Sequence, residues 1–153
     1  MLTDLLDALF HAVVYAGVGG AMLVAGYYVL DLVTPGHLGS HLLGVDERGE
    51  ASVHAQSKSA AVVTSAWLLS NALVLFTAIW TNGETSLGWA LIGTVAFGAV
   101  GIALNAVMLF IIDAITPGQL RTIVTEPGPV RPLAYVAAST SLAVAAVVCA
   151  SIA

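Results

Sequence analysis

Two aspartates begin the same six-residue phrase, DLVTPG at 31–36 and DAITPG at 113–118, and each phrase follows a long apolar run. Asp31 and Asp113 are therefore the residues whose type and setting most favour chemistry. A carboxylate at membrane depth is usually functional, and a symmetric pair of carboxylates is able to bind a cation or a proton. The alternative role is structural, with each carboxylate accepting a hydrogen bond from the threonine hydroxyl or a loop amide and so fixing the turn.

The remaining residues of the phrase predict a helix end. Proline restricts the preceding residue to extended geometry and lacks the N–H that the next helical hydrogen bond needs. Threonine followed by proline is also typical of a helix N-cap, so a short helix on the membrane surface is expected after each phrase. The residues assigned to this helix stop are Thr34, Pro35, Gly36, Thr116, Pro117 and Gly118.

A metal site is conceivable beside the first phrase, because His37 and His41 have the i, i+4 spacing that places two imidazoles on one helical face. The second phrase has Gln119 and Ile123 at the matching places, so we expect no metal. No phosphate loop, activated nucleophile or zinc-hydrolase motif occurs, and we expect neither a cofactor nor an enzyme. The other candidate metal ligands near this phrase are Asp46, Glu47, Glu50 and His54.

Composition identifies the elements that must position these residues. Hydrophobic residues make up 59% of the 153 residues and charged ones 8%, with mean hydropathy +0.98, against about 45–50% and about 25% in soluble domains. Four uncharged runs each have the roughly 20 residues that cross a bilayer core. The chain is therefore predicted to be an all-α integral membrane protein with four transmembrane helices, at about 8–32, 58–80, 87–114 and 131–153.

The basic residues predict the orientation, because they concentrate in cytoplasmic loops. All four of them lie between helices 1 and 2 or between helices 3 and 4. Both phrases are therefore expected on the cytoplasmic side, with both termini and the 81–86 turn outside. The net charge of −5 argues against nucleic acid and leaves the lipid bilayer as the expected partner. The four basic residues are Arg48, Lys58, Arg121 and Arg131.

An internal repeat explains why the phrase occurs twice. When the chain is shifted along itself so that Asp31 aligns with Asp113, Thr34 aligns with Thr116 and Leu38 with Leu120. The same shift, called the phrase offset below, continues the match from Ser57 and Ser59 onto Ser139 and Ser141. We therefore predict two tandem helix-loop-helix repeats of the same orientation, 1–80 and 87–153. Their expected relation is a pseudo-two-fold axis along the membrane normal.

Two asparagines lie in the middle of predicted helices. Asn71 and Asn105 fit interhelical hydrogen bonds that contribute about 0.6–2 kcal/mol, or the lining of a pore or cavity. Small residues spaced by four, such as Ala16 and Gly20, permit close helix packing within a subunit or between subunits. A homo-oligomer is therefore expected.

The pattern resembles the bacterial inner-membrane proteins called domain of unknown function 350, or YjfL-like. The resemblance rests on the paired four-helix plan, on the two phrases from Asp31 and Asp113, and on the segment TSLGW at 85–89. It implies a multi-pass protein of the bacterial cytoplasmic membrane whose biochemistry is unsettled. It also implies a genomic association with membrane stress.

Two functions from different classes remain open. The first is a non-enzymatic membrane scaffold or oligomeric subunit that docks a cytoplasmic protein through the loops 35–58 and 117–131. The second is a small ion or proton channel or transporter lined by Asn71, Asn105 and the Asp31/Asp113 pair.

Overall fold

The computed structural model describes residues 1–45, 50, 52–82, 86–116 and 120–153, and these residues are helical apart from turns, an isolated bridge and loops. Among them, four helices are long and apolar enough to cross a membrane. The predicted all-helical class with four candidate spans is confirmed. The helices are α1 (Leu2–Val33), α2 (Leu38–Leu43), α3 (Lys58–Asn82), α4 (Leu87–Ile115), α5 (Leu120–Thr125) and α6 (Pro132–Ile152), with a 3-10 turn at Val53–Ala55.

The first helix begins earlier than the hydropathy pattern predicts, at Leu2 rather than near residue 8. Asp4 lies in its first turn, where a negative charge is favourable beside the free backbone N–H groups. Its carboxylate also lies 2.6 Å from the Met1 amine. The acidic residues thus mark the N-terminal limit of the apolar run, but the helix extends beyond them to Leu2. The other three spans begin and end close to their predicted bounds.

Helix α3 is the centre of the bundle, since α1, α4 and α6 all pack against it. Its side chains Trp67, Val74 and Ala78 are fully buried. Helices α1 and α6 both also contact α4, but in the described part of the chain they share no extensive interface with each other. Helices α1 and α6 therefore lie on opposite sides of the α3–α4 pair.

Helix α1 joins this bundle only near its C-terminal end, where its buried residues Gly26, Leu30 and Val33 lie. A Cβ added at Gly17 or Gly20 would have no protein atom within 4 Å, apart from the helix's own nearby backbone. The N-terminal part of α1 is thus a long apolar helix that the rest of the described protomer leaves uncovered.

The closest contact between α1 and α3 is made at Gly26. The indole Nε1 of Trp67 donates a 2.9 Å hydrogen bond to the Gly26 carbonyl. A Cβ added at Gly26 would lie 2.8 Å from Nδ2 of Asn71, which is shorter than any ordinary contact. Glycine is needed here because the backbone of α1 must approach the side chains of α3.

Element positions follow the predicted repeat in part. The phrase offset takes the end of α1 at Val33 onto the end of α4 at Ile115, and the start of α2 at Leu38 onto the start of α5 at Leu120. The long second helices are related by a shorter shift, which takes the start of α3 at Lys58 onto the start of α6 at Pro132. The difference arises between the short and the long helices, because the connection 126–131 is shorter than the connection 44–57.

The predicted ungapped match from Ser57 to Ser139 therefore does not follow the helices. Ser57 precedes α3, whereas Ser139 lies inside α6. Burial supports the shorter shift, since it places every buried residue of α6 on a buried residue of α3. Ala60 and Ala134 are such a pair, and so are Val74 and Val148. Equivalent faces of α3 and α6 are thus related by the shorter shift.

The two interhelical connections are joined by backbone hydrogen bonds. The Gly128 N–H donates to the Gln56 carbonyl at 3.0 Å, and the Lys58 N–H donates to the Gly128 carbonyl at 3.3 Å. The Ser57 hydroxyl donates to the Val124 carbonyl at 2.7 Å and accepts from the Ala60 N–H at 3.1 Å. One serine therefore caps α3 and ties it to α5.

We predict that Gly26→Ala destabilises the protein, because the added methyl group overlaps Asn71. Overpacking of this kind costs about 1–3 kcal/mol. The matched control is Gly88→Ala, at a position in the first turn of α4 where an added Cβ has no atom within 4 Å, its own helix backbone excepted. Thermal unfolding in detergent, followed by tryptophan fluorescence, should show a lower midpoint for Gly26→Ala only. Equal midpoints in the two variants would contradict the close approach of α1 to α3.

Candidate functional site

The two phrases end the first helix of each half. The chain leaves the helix at Thr34, with φ −83° and ψ 133°, and at Thr116, with φ −92° and ψ 119°. Both conformations are extended, as the following proline requires. The Thr34 hydroxyl donates to the Leu30 carbonyl at 2.7 Å, so it bonds back to α1 rather than to the aspartate. Pro117 and Gly118 lie outside the described residues.

After Pro35 the chain turns through Gly36, whose φ of 80° lies in the left-handed region. This conformation explains the glycine of the first phrase, because other residues adopt it at a cost. The helix that follows has His37 as its N-cap and no side-chain cap. Its first residue, Leu38, is buried in the bundle core, so this side chain packs against protein instead of lying on the membrane surface as expected.

Asp31 lies in the last turn of α1, and its carboxylate is half-buried. Its Oδ1 accepts a hydrogen bond of 2.6 Å from the Leu38 N–H. An ionised acceptor strengthens such a bond, and the Leu38 N–H belongs to the unsatisfied first turn of α2. The carboxylate thus joins the end of α1 to the start of α2.

Asp113 has the equivalent position in α4 and an additional partner. Its Oδ1 accepts from the Arg121 N–H at 3.0 Å, and its Oδ2 accepts from Nε of the same arginine at 2.9 Å. The Asp113 side chain is 12% exposed and that of Arg121 is 30% exposed. This ion pair is therefore partly desolvated, and removing either member would leave a charge without its partner.

Arg121 also connects the two halves of the chain. Its Nη1 donates to the Val33 carbonyl at the end of α1, at 2.9 Å, and its Cζ lies 4.8 Å from the centre of the Phe110 ring. A cation is favourable at a helix C-terminus and over an aromatic face. The sequence interpretation uses Arg121 only for orientation. The sequence feature that could identify Arg121 as a site residue is its position shortly after Asp113 in a chain with few basic residues.

The two aspartates therefore differ in their surroundings although their phrases match. Both accept from a backbone N–H of the next short helix, which is the geometry of the turn-fixing alternative. Only Asp113 is paired with a guanidinium among the described residues. At the phrase offset, the position of Arg121 is occupied by Gly39 in the first half.

Asn71 and Asn105 meet in the bundle interior. Nδ2 of Asn105 donates to the Ser70 hydroxyl at 2.9 Å and to Oδ1 of Asn71 at 3.3 Å. The asparagines are 2% and 1% exposed, respectively. Nδ2 of Asn71, Oδ1 of Asn105 and the hydroxyl of Thr64 are buried and have no hydrogen-bond partner among the described residues. Each of these atoms is a cost to folding that calls for a reason.

The histidines after the first phrase do not gather into a metal site in the described part of the chain, where no three potential ligands come together. Nε2 of His41 donates to the Pro35 carbonyl at 3.1 Å, so this imidazole supports the turn. Asp46 and Glu47 lie outside the described residues.

Four apolar helices, with carboxylates at one end and paired asparagines in the interior, define the class of a multi-pass membrane protein. The chain belongs to the family Domain of Unknown Function (DUF350), whose profile matches residues 4–152. The predicted resemblance is confirmed.

Two relatives illustrate the similarity. A UPF0719 transmembrane protein of Mycolicibacterium paratuberculosis is 32% identical over 151 residues, which cover 99% of this chain and 92% of the relative. A UPF0719 transmembrane protein of Mycobacterium bovis is 34% identical over 151 residues, covering 99% and 91% of the two chains. No solved structure matches the chain.

We predict that Asp113→Asn destabilises the protein more than Asp31→Asn. An asparagine oxygen still accepts the backbone N–H at either site, but at position 113 it loses the charge that balances Arg121. Hydrogen bonds to charged groups contribute about 1.5–3 kcal/mol and neutral ones about 0.5–1.5 kcal/mol. Thermal unfolding midpoints of the two variants test this order.

The double variant Asp113→Asn/Arg121→Gln isolates the ion pair. The double variant should lose less stability than the sum of the losses in the two single variants, because the second change removes the charge that the first left without a partner. Strict additivity would show that the pair contributes nothing to stability.

Proposed function

We propose that this protein is a non-enzymatic subunit of the bacterial cytoplasmic membrane that assembles with further copies of itself. The observation that carries the proposal is the uncovered part of α1. Only three of its 32 residues are buried, and all three lie near its C-terminal end. The uncovered part includes Gly17 and Gly20, which have free space where a side chain would project.

Helix association in lipid favours this assembly. Lipid tails are as apolar as leucine, so helices associate through close packing and hydrogen bonds, and small residues permit that packing. Ala16 and Gly20 are exposed and one helical turn apart. A second copy that packs on this part of α1 would gain contacts that lipid chains, which are mobile, provide less well.

The proposed orientation places both termini outside and the phrases in the cytoplasm. Three basic residues support it, because they lie at the same end of the bundle as the two phrases. They are Lys58, Arg121 and Arg131, at or beside the starts of α3, α5 and α6. The proposed pair of repeats is supported by the equal offset along the chain between α1 and α4 and between α2 and α5. The helix contacts do not support the proposed pseudo-two-fold relation, because that axis would relate the α3–α4 interface to an equal interface between α1 and α6.

The same end of the bundle offers a surface to a cytoplasmic protein. The loops 35–58 and 117–131 are joined through Gln56, Lys58 and Gly128, so their described parts form one surface and not two separate loops. A docking partner would contact both halves of the chain at once.

The assembly proposal predicts that Gly20→Leu weakens self-association at least tenfold, because the larger side chain prevents close approach along α1. Val107→Leu on the exposed side of α4 is the control. Photobleaching steps of fluorescently labelled protein in lipid bilayers at low density measure the subunit number. A monomeric wild-type protein, or equal association of both variants, would exclude this assembly.

A small channel or transporter is the second candidate. Buried polar atoms of Thr64, Asn71 and Asn105 that have no partner in the described part of the chain favour it, because water or an ion would satisfy them. The engagement of Asp113 by Arg121 weighs against a symmetric pair of ion-binding carboxylates.

Flux measurements separate the two candidates. Proteoliposomes with the subunit should show no proton or cation flux above that of empty liposomes, and Asp31→Asn/Asp113→Asn should not change this result. Flux in wild type that disappears in the double variant at matched reconstitution would establish transport and replace the subunit proposal.

A further inference from the structure

The second half of the chain holds a guanidinium in a site made by three groups. The Asp113 carboxylate accepts from Nε of Arg121, the Phe110 ring lies 4.8 Å from its Cζ, and the Val33 carbonyl accepts from its Nη1. A carboxylate, an aromatic face and a carbonyl at a helix C-terminus are each favourable for a planar cation. Arg121 therefore shows what this arrangement binds.

The first half has corresponding groups, but it has no cationic residue at the position that corresponds to Arg121. At the phrase offset, Asp113 corresponds to Asp31, and Phe110 corresponds to another aromatic residue, Tyr28. The carbonyl at the end of α1 corresponds to the one that ends α4. Arg121 corresponds to Gly39, which has no side chain. The offset relates the ends of α1 and α4 and the starts of α2 and α5. The backbone donor to the aspartate differs by one position, since it is Leu38 in the first half and Arg121 in the second.

The space beside Gly39 accommodates the first atom of a side chain. Of the atoms in the described residues, a Cβ added at Gly39 would meet only the Tyr27 hydroxyl, at 3.8 Å, which is ordinary contact. Tyr27 corresponds to the apolar Leu109 in the second half, so the first half has an additional hydroxyl beside Gly39. The neighbouring Tyr28 side chain is 67% exposed and is accessible from outside the bundle.

We propose that Asp31, Tyr28 and the Tyr27 hydroxyl bind a guanidinium group that does not belong to this chain. Asp31 uses Oδ1 for the Leu38 N–H, and its second oxygen accepts from the ligand, as Oδ2 of Asp113 does from Arg121. In the described residues no cationic side chain forms an ion pair with Asp31. The site rests on the internal repeat and is independent of the proposed self-assembly.

Binding is tested on the full chain in detergent with ethylguanidinium as the probe, at millimolar concentrations far below those that denature proteins. At ten times its Kd, the probe should raise the ratio of folded to unfolded protein about elevenfold. Tetramethylammonium at the same concentration and ionic strength is the control ligand, because it has the charge without N–H donors. An equal effect of both cations, or none of ethylguanidinium, would overturn the proposal.

Variants locate the effect. Asp31→Asn should abolish the response, whereas Asp7→Asn, which changes an exposed carboxylate at the other end of α1, should keep it. Gly39→Arg should raise the unfolding midpoint without ligand and remove the response, because the new side chain occupies the site as Arg121 does. Gly39→Leu should remove the response without that gain. A full response in Asp31→Asn would contradict the site even if both Gly39 variants failed to fold.

The source of the guanidinium is distinguished by a peptide. Acetyl-Gly-Arg-Gly-amide and ethylguanidinium carry the same cation, and acetyl-Gly-Lys-Gly-amide is the matched control. Binding of the arginine peptide at least tenfold tighter than ethylguanidinium would assign the site to an arginine of a protein partner. Equal or weaker binding of the peptide would assign it to a free small molecule.

Discussion

The contact between Trp67 and the backbone of Gly26 is the interaction on which the arrangement of helices depends. Within a bilayer no hydrophobic force pulls helices together, so an interface needs close packing and hydrogen bonds. At Gly26 both are present, because the absent side chain lets the indole reach the carbonyl and brings Asn71 against the backbone of α1. The more N-terminal part of α1 has no such anchor in the described residues, and they leave it uncovered. Gly26 thus determines where α1 contacts the bundle, and the part of α1 before it is accessible to lipid or to another subunit.

Charge imposes the second constraint, because a membrane protein with so few basic residues has few counter-ions for its carboxylates. Arg121 contacts Asp113, the Phe110 ring and the end of α1, so a single side chain stabilises one acid and joins both halves. Asp31 depends on the amide of Leu38. A hydrogen bond to an amide orients a carboxylate but does not neutralise it, and the two matched phrases therefore differ in their electrostatics.

The sequence predicts features that depend on long runs or on strict backbone chemistry. Apolar length locates the four spans, and the Thr-Pro steps after Val33 and Ile115 mark where helices end. It fails where tertiary contacts decide. Asp4 and Asp7 end the first apolar run, yet α1 continues through them, since charges at a helix end are tolerated outside the bilayer core. The match of Ser57 with Ser139 is misleading because small residues recur by chance in an apolar chain. Arg121 was missed as a site residue because its role depends on the Val33 carbonyl of another helix, which spacing along the sequence does not reveal.

The unequal surroundings of the two phrases bear on what the repeat is for. If both aspartates only fixed turns, the amide hydrogen bond would suffice in each half, and the arginine would be dispensable in the second. Instead the Arg121 guanidinium pairs with Asp113 and donates a hydrogen bond to the end of α1. The first half has Tyr28 and Asp31 at the matching positions, and Gly39 where the second half has Arg121. The two phrases, matched in sequence, therefore give the two halves of the bundle end different charge distributions. Two equivalent carboxylates on a symmetric path along the axis would have to be equally available, and among the described residues only Asp113 is paired with a guanidinium.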